Sequence, residues 1–173
     1  MRSTFYVCLI AALSFGLWEL TNRPVDAPQW TGTIDGFAYS PMQPGQSPIS
    51  GEYPSTAEIE ADIAILAAQA NSIRTYGVDG TLAQIPAIAA RQGLSVTLGI
   101  PLGEDAAINR EQLERLTSLV MQNSNIERVI IGNEVLLTET LTAAALGEYL
   151  ADLRELRDVP VSTAAPWHIW LQP

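Results

Sequence analysis

The stretch from Leu94 to Ile131, LSVTLGIPLGEDAAINREQLERLTSLVMQNSNIERVII, decides the fold. Leu94 to Ile100 is a short apolar run that reads as a strand, and Ile126 to Ile131 is a second, dense in β-branched residues. Between them Leu113, Leu116 and Val120 recur at helical intervals, and Asn109-x-x-Gln112 is the expected opening of that helix. Strand, helix and strand in this order predict a parallel pair joined by a helix.

The same alternation continues on both sides. Ile34 to Tyr39 reads as a first strand, followed by a loop rich in Pro, Gly, Ser and Gln. Ser55-Thr56-Ala57-Glu58 has capping-box spacing and opens a helix expected over 55–70, with Ile59, Ile63 and Leu66 inward. A second strand is expected over 72–76. Gly80 to Gln92 reads as helical, regular from near Pro86 and stopped by Gly93. Thr142 caps a helix carrying Leu146, Tyr149, Leu150 and Leu153, and 159–163 reads as a fifth strand. Strand centres lie about 31 residues apart. Eight such units need about 250 residues, the usual size of a (β/α)8 barrel. The expected fold is therefore α/β, an incomplete TIM barrel of about five βα units over residues 34–173. An open doubly wound sheet is the alternative. The first βα connection has no G-x-G-x-x-G fingerprint, so nucleotide binding has no support.

Composition narrows the chemistry. The 173 residues carry 9 Lys+Arg against 19 Asp+Glu, a net charge of −10, which disfavours nucleic acid as a partner. All nine cations are arginines, so lysine Schiff-base chemistry is excluded. Cys8 is the single cysteine, which excludes internal disulfides and thiolate zinc sites. No His, Asp and Glu cluster has ligand spacing, and no metal or other cofactor is expected.

Arg2 precedes Phe5 to Trp18 (FYVCLIAALSFGLW), an uncharged and mostly apolar run ended by Glu19. As a helix those residues would span about 21 Å, short of the ~30 Å hydrocarbon core. Residues 1–20 are thus expected to be a secretory signal or a membrane anchor, and residues 21–33 a linker. Val25-Asp26-Ala27 followed by Pro28 is a weak cleavage site, which leaves both options open. Export, to the periplasm or beyond or facing outward on the membrane, is expected, with membrane contact through this segment alone.

Barrel chemistry sits at the C-terminal ends of strands. There the sequence places Tyr39, Ser40, Pro41 and Gln43, then Arg74 and Tyr76, then Gly132, Asn133 and Glu134, then Trp167, His168 and Trp170. Aromatic faces with amide and hydroxyl groups suit a neutral sugar. Glu134 is the catalytic candidate: partial burial would raise its pKa and fit it to protonate a leaving oxygen. It also reads as a glutamate at a helix N-terminus. Asn133 could meet a sugar hydroxyl or simply make a turn. Tyr39 and Tyr76 read as core or rim aromatics as readily as ligand contacts. Arg74, within an apolar strand, needs an acidic partner, with Asp35 and Glu134 the local choices. His168 reads as structural.

These residues carry a resemblance. Gly36-Phe37-Ala38-Tyr39-Ser40-Pro41, Gln43 and Gly45-Gln46-Ser47-Pro48 resemble the opening of bacterial glycoside hydrolase family 17. Tyr53-Pro54-Ser55, Ile73-Arg74-Thr75-Tyr76, Gly132-Asn133-Glu134 and Pro166-Trp167-His168-Ile169-Trp170 follow in order. The resemblance implies a (β/α)8 barrel acting on β-1,3-glucan with retention, as a hydrolase or a transglycosylase. It implies Glu134 as acid/base, Asn133 at the cleavage subsite, and Tyr39, Tyr76 and Trp167 along the cleft. Arg74 is expected to orient its neighbours.

The retaining mechanism needs a second carboxylate about 5–5.5 Å from the first. The resemblance puts it after a seventh strand, and no residue here matches it. Glu139, on a connection, and Glu155, in a helix, are not substitutes. The expectation is no glucanase turnover by this chain alone. A non-catalytic remnant or sugar-binding half barrel is the reading from another class.

Overall fold

The computed structural model describes residues 2–26, 32, 34–153, 156 and 159–171. Contacts divide the chain into two units, Met1–Gly32 and Thr33–Pro173. The first holds one helix, α1 (Arg2–Thr21), all of whose residues are exposed. Its twenty residues span about 30 Å. The expectation of a 21 Å run is corrected: Glu19 does not end the helix, because Thr21 and Asn22 close it instead. The Thr21 hydroxyl donates to the Leu17 and Trp18 carbonyls, and Asn22 Nδ2 to Trp18. Of the expected linker, 21–33, Thr21 belongs to α1, residues 22–26 and 32 lie outside any helix or strand, and 27–31 and 33 fall outside the described residues.

In the second unit strands and helices alternate: β1 (Ile34–Ala38), α2 (Thr56–Ala67), β2 (Ala70–Arg74), α3 (Ile85–Arg91), β3 (Ser95–Ile100), α4 (Ala106–Gln122), β4 (Ile126–Asn133), α5 (Ala143–Asp152) and β5 (Val161–Ala164). A 3₁₀ turn, Gly80–Gln84, leads into α3, where Pro86 occupies the first turn as its missing N–H allows. Another, Ile169–Leu171, follows β5.

All neighbouring strands are parallel, in the order β1-β2-β3-β4-β5. A doubly wound sheet reverses its order at a switch point. This sheet has none, so its winding is that of a barrel wall and the doubly wound alternative is set aside.

Local sequence explains most boundaries. Ser55 Oγ accepts from Glu58 N–H and Glu58 returns the bond to Ser55 N–H at 2.7 Å, the expected capping box. Thr142 Oγ accepts from Ala145 N–H at the start of α5. The opening of α4 differs from expectation: Asp105 caps it through Ala107 and Ile108 N–H. Asn109 and Gln112 are buried inside it instead. Asn109 Nδ2 donates to Gly103 O and Oδ1 accepts from Gly103 N–H, both at 2.8 Å, so the loop before the helix consumes the amide. Helix α2 ends at Ala67 rather than residue 70, because Ala70 already pairs with Ile34 in the sheet.

The strands are not apolar throughout. Ile73, Val96, Leu98, Ile100, Val129 and Ile131 are buried and form the core with Ile59 and Ile63 of α2, Ile88 of α3, Leu116 of α4 and Leu146 of α5. Each such side chain contributes about 1.5–3 kcal/mol of burial. The alternate row carries Ser72, Arg74, Ser95, Thr97, Arg128 and Ser162, none of them buried. The helices cover one face of the sheet, and the second face is mostly polar, with Gly99 and Ile130 among its Ser, Thr and Arg residues.

Candidate active site

The site is assembled where strand pairing becomes irregular. Ile130 pairs with Ser162, but the next matched pair is Asn133 with Ala164, so β4 holds one residue more than β5. Gly132 takes up the extra residue at φ 70°, a left-handed conformation natural to glycine. A Cβ there would also press on the Val135 side chain at 3.1 Å. Simple alternation from Val129 and Ile131 would turn Asn133 toward the helices. The bulge returns it to the polar row.

There Arg74 Nη2 donates to Asn133 Oδ1 at 3.0 Å. The guanidinium also lies 4.7 Å from the centroid of the Tyr76 ring, a cation–π contact. Arg74 was expected to find Asp35 or Glu134; the partners are instead an amide oxygen and an aromatic face. Its Nε–H is buried and has no acceptor among the described residues. Arg74, Asn133 and Tyr76 thus form one connected group from β2 and β4.

Glu134 follows directly, at φ 58°. Such a backbone is uncommon for a residue with a Cβ and costs of order 1–3 kcal/mol, which surrounding bonds must hold. They do: Glu134 N–H donates to Ala164 O at 2.7 Å, and its carbonyl accepts from Thr138 N–H and Thr138 Oγ. Thr163 Oγ further donates to Gly132 O at 3.1 Å. The Glu134 side chain is exposed, so the partial burial expected of it is corrected: β5 holds its backbone, and its carboxylate stands in solvent. No helix begins at Glu134, since the residues after it form turns up to Thr142, and the helix-terminus reading fails too.

Tyr39 and Tyr76 line one cavity of about 220 Å³ at the ends of β1, β2 and β3, with Pro41, Thr75, Asp79 and Pro101. Tyr39 is buried, and its hydroxyl donates to Asp62 Oδ2 on α2 at 3.1 Å. Burial, then the Asp62 charge and hydrogen bond, hold its pKa well above that of a free phenol. That hydroxyl is committed to the scaffold. Tyr76, by contrast, is 41% exposed. Trp167 stands apart, 75% exposed, with its ring edge-to-face against His168 at 5.9 Å.

Sequence reasoning missed three contributors. Asp62 orients Tyr39. Asp79 shapes the cavity wall and is held by Gln112 Nε2 at 2.8 and 2.9 Å and by Arg115 at 2.5 Å. Gly99 matters by what it lacks: a Cβ there would lie 2.2 Å from the Thr75 carbonyl, so only glycine lets the end of β2 lean over β3. A lone glycine within an apolar strand was the readable signal for that approach.

A family model described as the BtgE/BtgC glycoside hydrolase domain matches residues 36–173. The chain belongs to that family. Among curated relatives, it is 32% identical over 126 residues to a glucan 1,3-beta-glucosidase of Schizosaccharomyces pombe, covering 66% of this chain and 39% of that protein. It is 27% identical over 135 residues to glucan 1,3-beta-glucosidase BGL2 of Candida albicans, covering 69% of this chain and 44% of that one. A solved structure with the same fold is an active-site mutant of Rhizomucor miehei beta-1,3-glucanosyltransferase in complex with laminaritriose. The TM-score is 0.65 at 21% identity, over 76% of this chain and 49% of that chain. This BtgE/BtgC domain therefore spans about two fifths to half the length of the relatives it matches. Among the described residues no group of three or more His, Cys, Asp or Glu is placed to hold a metal ion.

Proposed function

We propose that residues 34–173 are the first five units of a (β/α)8 barrel of the bacterial family 17 type, acting on β-1,3-glucan with retention, with Glu134 as acid/base. The observation that carries this is the Gly132 bulge. It sets Asn133 in the polar row against Arg74 and leaves the Glu134 carboxylate in solvent on a backbone pinned to Ala164. A carboxylate so held can meet a glycosidic oxygen without first reordering its own main chain. Asn133, its Oδ1 fixed by Arg74, keeps its amide N–H groups to donate to a sugar hydroxyl. Arg74 covers one face of Tyr76 and leaves the other to stack on a pyranose ring. Trp167 supplies a further aromatic surface, and Tyr39 supports the wall of the cleft.

Retention requires a second carboxylate across the sugar, and we place it outside residues 34–173. Support comes from the family match and from relatives named as glucan 1,3-beta-glucosidases. Two assays test the reading. Laminaritriose should quench the tryptophan fluorescence of the chain saturably, and Tyr76→Ala should weaken that binding at least tenfold. Laminarin should release no reducing sugar with this chain alone. Absence of any laminaritriose binding would remove the glucan assignment. Release that disappears in Glu134→Gln would instead overturn the external nucleophile. Hydrolysis and transfer share one glucosyl-enzyme intermediate and differ in the acceptor, so product analysis with laminari-oligosaccharide acceptors separates them.

A further inference from the structure

Helix α1 is apolar on every side, and all of its residues are exposed. A helix hydrophobic all round needs an apolar medium around its whole circumference, not a groove along one face. Its side chains are also ordered along the axis. Arg2 stands at the first turn, then Phe5 and Tyr6, then the aliphatic and small run Val7 to Ser14, then Phe15 and Trp18, stacked at 6.3 Å, then Glu19. Aromatic rings at both ends of an aliphatic centre, bounded by charges, match the two interfaces of a bilayer. Arg2 and Glu19 are about 26 Å apart along the axis, and their side chains reach beyond that, close to the ~30 Å hydrocarbon core.

The far end of α1 is finished for water. Asn22 N–H and Nδ2 and the Thr21 hydroxyl all donate to the Trp18 carbonyl at 2.9–3.1 Å, one turn beyond the last apolar rings. The helical hydrogen bonding thus runs unbroken to Asn22, whereas a processing protease needs extended chain with small residues close behind the apolar run. The nearest such triplet, Val25-Asp26-Ala27, contains a carboxylate and precedes Pro28.

We propose that α1 is retained and spans a lipid bilayer, with Arg2 on the cytoplasmic side. The cation at the very edge of the span sets the direction: Arg2 lies in its first turn with no carboxylate beside it, whereas Arg23 stands beyond the helix between Glu19 and Asp26. The chain therefore emerges at Asn22 on the outer side.

The full chain with a C-terminal tag, produced in a Gram-negative host, tests this independently of any glucan chemistry. The tag should stay in the membrane pellet after alkaline carbonate washing. The intact mass should retain residues 2–21, and protease added to spheroplasts should remove the tag. Ile10→Arg should lower the carbonate-resistant fraction several-fold, while Ile49→Arg, at a 99% exposed position of the other unit, should leave it unchanged. A soluble species beginning at or after residue 22 would overturn retention. Extraction by carbonate would overturn spanning, and a protected tag would overturn the direction.

Discussion

Arg74 Nη2 and Asn133 Oδ1 are 3.0 Å apart, although β2 and β4 are not neighbours in the sheet. Arg74 is level with Thr97 of β3, and Asn133 lies two residues past Ile131, the last β4 residue paired to β3, so the bond reaches across the end of that strand. It ties the strand that presents Tyr76 to the strand that presents Glu134, so the two halves of the site are set by one charge-assisted contact. Hydrogen bonds to charged groups are worth about 1.5–3 kcal/mol. Arg74→Met and Asn133→Ala should each destabilise the chain, and the double substitution should cost less than their sum, with a coupling of about 1 kcal/mol. Urea unfolding of the four proteins measures it, and strict additivity would mean the bond does not hold in solution.

Gly99 and Gly147 should respond to alanine with opposite signs. At Gly99 the new Cβ would lie 2.2 Å from the Thr75 carbonyl, so the strand ends must part, at a cost of about 1–3 kcal/mol. Gly147 lies within α5 with nothing within 4 Å of such a Cβ, and alanine there should stabilise by about 0.5–1 kcal/mol. Thermal denaturation of both variants reads the two signs directly.

The backbone at Glu134 predicts a trade of stability against function. At φ 58° a glycine relieves strain, so Glu134→Gly should raise stability by about 1 kcal/mol while removing the carboxylate. Glu139 has φ 56° and lies away from the bulge, so Glu139→Gly should give a similar gain without weakening laminaritriose binding. A loss of stability in Glu134→Gly would show that its side chain makes contacts the structure does not record.

The alkaline limb of stability should belong to Tyr39. Burial, then Asp62, raise its folded pKa above the unfolded value of about 10. The folded state therefore keeps its proton where the unfolded chain loses it. Stability from this group is complete below about pH 10 and falls as pH rises toward the folded value. Urea midpoints from about pH 8 to 11 should decline less steeply in Tyr39→Phe than in the parent. Parallel slopes would assign the loss to other tyrosines.

The strand–helix alternation was legible because each crossover helix carried its own periodic stripe, as Leu113, Leu116 and Val120 show. Caps were legible where a side chain serves only its own helix, as with Ser55 and Thr142. They were misread at Asn109, whose amide bonds a loop six residues earlier, a tertiary use of a residue with capping chemistry. At the site, the sequence marks Gly-Asn-Glu but not which way Asn133 faces, since that depends on pairing with Ala164 of β5. Arg74 shows the same limit: its partner is 59 residues away and uncharged, so a search for local acids could not reach it.

The one-residue surplus in β4 gives the Asn133–Glu134 segment an unusual mutational profile. Its register depends on how many residues lie between Ile130 and Ala164's partner, and hardly on which aliphatic side chains fill the strand below. Exchanges among Val, Ile and Leu at 129–131 leave that count intact. A single insertion or deletion there turns Asn133 away from Arg74 while every residue type survives. Scanning by substitution would rank this strand as permissive; scanning by length would rank it among the least permissive in the domain.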